Sequence, residues 1–143
     1  MNKVGLIRIE PKVDDRGYIS QIYNSDFPNK LARFYLVGNF AKGTVRGMHY
    51  HQREWKYFFV TKGSAKFVIS PTDKPSKKTQ TFVLSDKNSS LLVVPPGYYN
   101  GWVSLENETQ LLGMSSFTLK ETLANDKRID PRTFSEYFQV ISR

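Results

Sequence analysis

A chain of 143 residues is long enough to close one hydrophobic core without cross-links. It holds no cysteine, which excludes disulfides and thiolate metal sites. Its 21 Lys and Arg against 13 Asp and Glu give a net charge of +8, which suits either a small anionic substrate or nucleic acid. No apolar run approaches the roughly 18 residues of a membrane helix. The opening MNKVGLIRIE also lacks the apolar stretch of a secretory signal. A soluble, cytoplasmic protein with no membrane partner is the expectation.

Residues 4–9 read as a first strand, and Pro11 to Gly17 as a turn-rich connection. Residues 18–23 are expected as a second strand, the segment from Asn24 as a loop or short helical turn, and 33–39 as the next strand. Strands follow at 44–51, 56–61 and, past the Gly63 turn, 65–69. Lys74, Lys77 and Lys78 lie close to Pro71 and Pro75, which marks a solvated loop. Strands are then expected at 81–84 and 91–94. Pro95-Pro96-Gly97 must turn, because the prolines lack donors and glycine tolerates unusual dihedrals. Residues 102–105 and 109–117 are the last clear strands, with a helix or loop at 120–127 and a helical turn at 131–138. Many short strands separated by turns predict an all-β sandwich or barrel, a jelly roll in form, as one domain over residues 1–143.

Both histidines, His49 and His51, lie between Gly43 and Gly63. Alternate residues of a strand share a face, so the two imidazoles project into one space. There they could bind a metal, move a proton or pack.

The spacing narrows this. Gly43, five residues, His49, one residue, His51, four residues, Lys56, six residues and Gly63 resembles the first motif of the cupin superfamily. Pro95-Pro96-Gly97, Tyr98-Tyr99 and Asn100 resemble the second. The resemblance implies a cupin-type double-stranded β-helix. Metal-binding cupins carry glutamate where Lys56 stands and histidine where Asn100 stands. A lysine cation opposes a divalent ion, and an amide is a poor substitute for imidazole. Glu54 would share the face of Lys56 on a regular strand and is the one nearby carboxylate that could replace the missing ligand. A site with no metal and no cofactor is the expectation.

Three stretches resemble the sugar-nucleotide enzymes related to dTDP-4-dehydrorhamnose 3,5-epimerase. They are VDDRGYISQIYN, TVRGMHY and LSDKNSSLLVVPPGYYNGWVSL. Arg46-Gly47-Met48-His49-Tyr50-His51 also resembles the Arg-Gly-x-His-x-His strand of the sugar 3,4-ketoisomerases. Both groups act on nucleotide-linked 4-keto-6-deoxy sugars in polysaccharide and deoxysugar synthesis. The resemblance implies His49 as base, His51 as substrate ligand or second acid/base, and Lys56 facing the enolate oxygen. Arg16 and Arg46 would grip sugar or diphosphate, and Tyr98, Tyr99 and Asn100 would line the substrate site. Arg46 is three residues from His49, so only a bulge at Gly47 brings it to the same face. The epimerases' acid is a tyrosine whose place here is Gly113, with Tyr50, Tyr57, Tyr98 and Tyr99 as candidate replacements. The aspartate that orients their histidine belongs to a C-terminal region expected to be missing. A homodimer pairing edge strands is implied as well. Other readings are a non-catalytic nucleotide-sugar-binding cupin, a metal-dependent cupin enzyme and, on charge alone, a nucleic-acid binder. No nucleic-acid motif accompanies that charge, so no nucleic-acid partner is expected.

Overall fold

The computed structural model describes residues 3–143. Its strands are β1 (Gly5–Arg8), β2 (Lys12–Asp14), β3 (Gly17–Ile19), β4 (Arg33–Asn39), β5 (Val45–Tyr50), β6 (Lys56–Lys62), β7 (Ser64–Ser70), β8 (Gln80–Ser85), β9 (Ser90–Val94), β10 (Tyr99–Ser104), β11 (Thr109–Ser115) and β12 (Lys127–Arg128). Two short helices, α1 (Leu119–Asn125) and α2 (Ser135–Phe138), come late in the chain. One five-stranded sheet runs β1-β9-β6-β11-β4 and a second runs β12-β5-β10-β7-β8, with every pairing antiparallel. The expected cupin-like jelly roll is therefore the fold observed. No helix among the described residues is long and apolar enough to cross a membrane.

The main core lies between the two sheets. Phe58, Val60, Leu92 and Leu111 of the first sheet meet Ala65, Phe67, Leu84 and Trp102 of the second. The outer faces are covered separately. Phe134 and Phe138 pack under the second sheet against Met48, Val68, Tyr99 and Val103. Phe27 and Leu31 pack over Tyr57, Leu91 and Met114 of the first.

Two expectations shift. Residues 12–19 form an exposed hairpin of β2 and β3, and 20–23 leave the sheet. The Asp26 carboxylate instead accepts the Tyr23 N–H at 2.7 Å and closes a 3-10 turn over Asn24–Asp26. β10 begins at Tyr99 rather than 102, although Asn100 and Gly101 have poor strand propensity. Pairing on both edges, with β5 and β7, overrides that preference.

The bulge needed for Arg46 is present in β5. Opposite β10, His49 pairs with Asn100 and Arg46 pairs with Trp102, so two residues of β5 face the single Gly101. Gly47 adopts φ 122°, and a Cβ there would lie 2.4 Å from the Gly101 Cα. Only glycine combines that dihedral with that approach.

Candidate active site

Three strands of the first sheet show how the site arises. Across β6, β11 and β4, the row Val60–Leu111–Val37 is apolar. Two residues along, the row is Phe58–Gly113–Tyr35, and two further it is Lys56–Ser115–Arg33. The face turns from hydrocarbon to cations within four residues, so the sheets cannot close on each other at that end. A cavity of about 560 Å³ lies there. Arg33, Tyr35 and Lys56 line it from the first sheet, and Arg46, His49, His51 and Asn100 from the second. Leu119, Thr122 and Leu123 of α1, with Asp126 just beyond it, cover one side.

α1 is placed by its own cap. Thr118 Oγ1 accepts the Glu121 N–H, and the Glu121 carboxylate accepts the Thr118 N–H, a reciprocal capping box. The helix resolves the helix-or-loop alternative for 120–127 and delivers Asp126 to the histidines. His49 Nδ1 is hydrogen-bonded to Asp126 Oδ1 at 3.1 Å, which leaves Nε2 for a substrate. An aspartate is thus hydrogen-bonded to His49 although the C-terminal region was expected to lack one, and it sits at the C-cap of a short helix. His51 Nε2 lies 3.6 Å from the same Asp126 oxygen, and its Nδ1 lies 3.1 Å from Glu54 Oε2. The two imidazole planes are nearly parallel, 4° apart.

Glu54 anchors the buried side. Its side chain is fully buried, accepts hydrogen bonds from Ser115 (2.6 Å) and Thr122 (3.0 Å), and lies 3.6 Å from Arg33 and 3.7 Å from Lys56. Two cations thus stand where a metal would have to approach this carboxylate, so the donor set does not suit a divalent ion.

The electrostatics favour proton transfer. Burial pulls the His49 pKa below its ordinary value, helped by Lys56 and Arg128, while Asp126 pulls it back up. A neutral imidazole with a free Nε2 is a competent base. Burial, with the Lys56 cation, brings His51 down to about 4 against Glu54 and Asp126. Burial also lowers Lys56, opposed chiefly by Glu54. Burial pushes the Asp126 carboxyl up, but hydrogen bonds from Arg128 and His49 outweigh it and hold the group below the usual range. The Tyr35 phenol is raised to about 12 by burial.

Of the residues singled out in the sequence, His49, His51, Lys56, Arg46 and Asn100 meet at the cavity. Arg46 donates to Asn39 Oδ1 at 2.6 Å and to the Gly38 carbonyl at 3.2 Å. The Asn100 amide donates to the His49 carbonyl at 3.1 Å and so fixes the β5 backbone. Arg16 does not reach the cavity. It sits on the exposed hairpin turn, paired with Asp14. Tyr99 points to the other face of its sheet and packs on Tyr50 with centroids 4.8 Å apart, and Tyr98 packs against the main core. Trp55 stacks on Tyr57 outside the first sheet. Arg33, Tyr35, Thr122, Asp126 and Arg128 line the cavity and were not singled out. For Arg33 and Tyr35 the signal was alternation along β4, and for Asp126 it was the Thr118–Glu121 cap.

The fold and site define a cupin-like jelly roll whose basic cavity holds a histidine hydrogen-bonded to a carboxylate, a set of groups able to exchange protons. The chain belongs to the dTDP-4-dehydrorhamnose 3,5-epimerase family, a family of dTDP-sugar epimerases and isomerases, whose model matches residues 1–133. The spore coat polysaccharide biosynthesis protein SpsL of Bacillus subtilis is 24% identical over 123 residues, covering 81% of this chain and 80% of that protein. The solved RmlC epimerase of Mycobacterium tuberculosis superposes with a TM-score of 0.78 at 18% identity, over 91% of this chain and 72% of that one. The sugar 3,4-ketoisomerase QdtA of Thermoanaerobacterium thermosaccharolyticum, solved in complex with TDP, gives 0.73 at 22% identity, over 94% and 93%.

Proposed function

We propose that this chain is a metal-independent epimerase or ketoisomerase of a dTDP-linked 4-keto-6-deoxy sugar, working as one cupin domain over residues 1–143, with His49 as the base. The observation that carries the reading is the His49–Asp126 hydrogen bond in the wall of a cavity that Lys56 also lines. A proton beside a ketone is weakly acidic. Removing it takes a positioned base and a positive group where the enolate oxygen forms. His49 Nε2 removes the proton, and Lys56 holds the developing oxyanion. Asp126 keeps the imidazole in the tautomer with Nε2 unprotonated and stabilises the imidazolium once formed. His51, between Asp126 and Glu54, backs the same carboxylate. Arg46 and Arg128 meet the diphosphate, which suits guanidinium forks.

The reading includes a cytoplasmic homodimer. Exposed apolar side chains support an interface, with Phe34 and Leu36 on edge strand β4 at 62% and 64%, and Val13 and Tyr18 on the β2–β3 hairpin at 74% and 77%. In such a dimer the hairpin would carry Arg16 toward the partner's cavity.

The experiment is incubation of the purified protein with dTDP-4-keto-6-deoxyglucose, with products followed by NMR and thermal protection by dTDP measured in parallel. Protection together with a shifted carbonyl or an inverted carbon is expected. Protection with unchanged sugar would favour a binding cupin instead.

A further inference from the structure

The cavity has two facing walls. His49 stands on the second sheet. On the first, one row nearer the apolar end than Lys56, stands Tyr35 of β4. Gly113 lies beside it in the register, between Tyr35 and Phe58. A Cβ at Gly113 would lie 2.2 Å from Tyr35 Cζ and 2.7 Å from its hydroxyl oxygen. The phenol ring therefore lies across the bare backbone of β11 and fills the space a side chain at position 113 would take. Gly113 is the vacancy that lets Tyr35 reach the middle of the wall.

The four cations of this cavity each face a protein partner. Arg33 and Lys56 face Glu54, Arg128 donates to Asp126, and Arg46 donates to Asn39 and Gly38. The influences on Tyr35 are burial, the Arg33 cation and the Glu54 carboxylate, with no hydrogen bond among them. Like any phenol it is protonated at neutral pH, and burial strengthens its hold on that proton.

Inverting a carbon requires that a proton leave from one face and another arrive from the opposite face. We infer that Tyr35 is the proton donor of an inverting reaction in this cavity, acting from the wall opposite His49. The inference rests on the functional reading above. His49 Nε2 takes the proton from the carbon beside the ketone, and the electron pair moves onto the carbonyl oxygen. The Tyr35 O–H then gives its proton to the same carbon from the other side as the carbonyl re-forms. Imidazolium and phenolate remain, and both reset by proton exchange with water.

The test uses full-length wild type, Tyr35→Phe, Tyr35→Ala and the pair Tyr35→Ala/Gly113→Tyr, which moves the phenol to the neighbouring strand. Each is incubated with dTDP-4-keto-6-deoxyglucose in D2O, and NMR separates deuterium entering with retention from inverted product. Wild type is expected to give deuterated, inverted product. Tyr35→Phe is expected to lose inversion by about 10²-fold or more while wash-in with retention persists, within the range for a lost general acid. The paired variant should recover at least about tenfold over Tyr35→Ala. Should it fail to fold, Tyr35→Phe, which loses one oxygen, decides alone. Inversion by Tyr35→Phe within threefold of wild type would overturn the inference, as would equal loss of wash-in and inversion. So would a wild type that only relocates the carbonyl. A wild type that exchanges no deuterium with this sugar overturns the functional reading itself.

Discussion

Along β6, β11 and β4, one continuous face passes from Val60, Leu111 and Val37 to Lys56, Ser115 and Arg33. At the closed end, Val60, Leu111, Phe67 and Leu84 exclude water, and stability follows the apolar area they bury. At the open end, Glu54 and its cations are removed from water, which repays their desolvation only while every partner is present. The same strands thus carry two kinds of energy. Substitutions at the closed end should move stability and leave the chemistry, and those at the open end should move the chemistry, with one exception.

That exception is Glu54, where the two ends meet energetically. Glu54→Gln strands Arg33 and Lys56 without their anion, and unfolding is expected to become easier by about 3–5 kcal/mol. Urea denaturation checks it, and a loss under 1 kcal/mol would mean that the cations are solvated rather than held. Leu111→Ala, at a fully buried position, should cost about 2–5 kcal/mol in the same assay while kcat/KM per folded molecule stays within about twofold. Lys56→Met should lower kcat about 10²-fold, the effect of losing one donor to a developing oxyanion. Affinity for dTDP, measured by calorimetry, should stay near wild type.

The smallest effect is expected at Asp126, the link between helix and base. Asp126→Asn should lower kcat/KM about tenfold and shift its pH profile. Asp126 raises the His49 pKa against burial, so its removal lowers that pKa further. The acid limb, where protonated His49 cannot act, should move to lower pH. A limb moving to higher pH would show that Asp126 does not face His49 in solution.

How far the sequence could be read follows the same division. The jelly roll was legible because Gly43, Gly63 and the Pro95-Pro96-Gly97 turn bound strands whose alternation is clear. His49, His51 and Lys56 were legible from spacing within one short stretch, although β5 and β6 go to different sheets, and the bulge that turns Arg46 inward was legible from parity at Gly47. Asp126 was not, because its contact with His49 spans 77 residues and depends on where a seven-residue helix docks. Tyr35 was hidden for a related reason. Its place in the cavity wall depends on the empty space at Gly113 across the sheet, and only register joins a glycine on one strand to a ring on another. Tyr98 and Tyr99 illustrate the converse. Their position after the turn suggested a pocket rim, but the early start of β10 sends Tyr99 to the far face.

The most direct test of the central claim, that His49 is the base, is the rate of deuterium entry from D2O beside the ketone of dTDP-4-keto-6-deoxyglucose, for wild type and His49→Asn at neutral pH. The account predicts exchange by wild type and a loss of about 10³-fold in the variant, with melting temperature and dTDP binding little changed. Exchange by His49→Asn at the wild-type rate would contradict it.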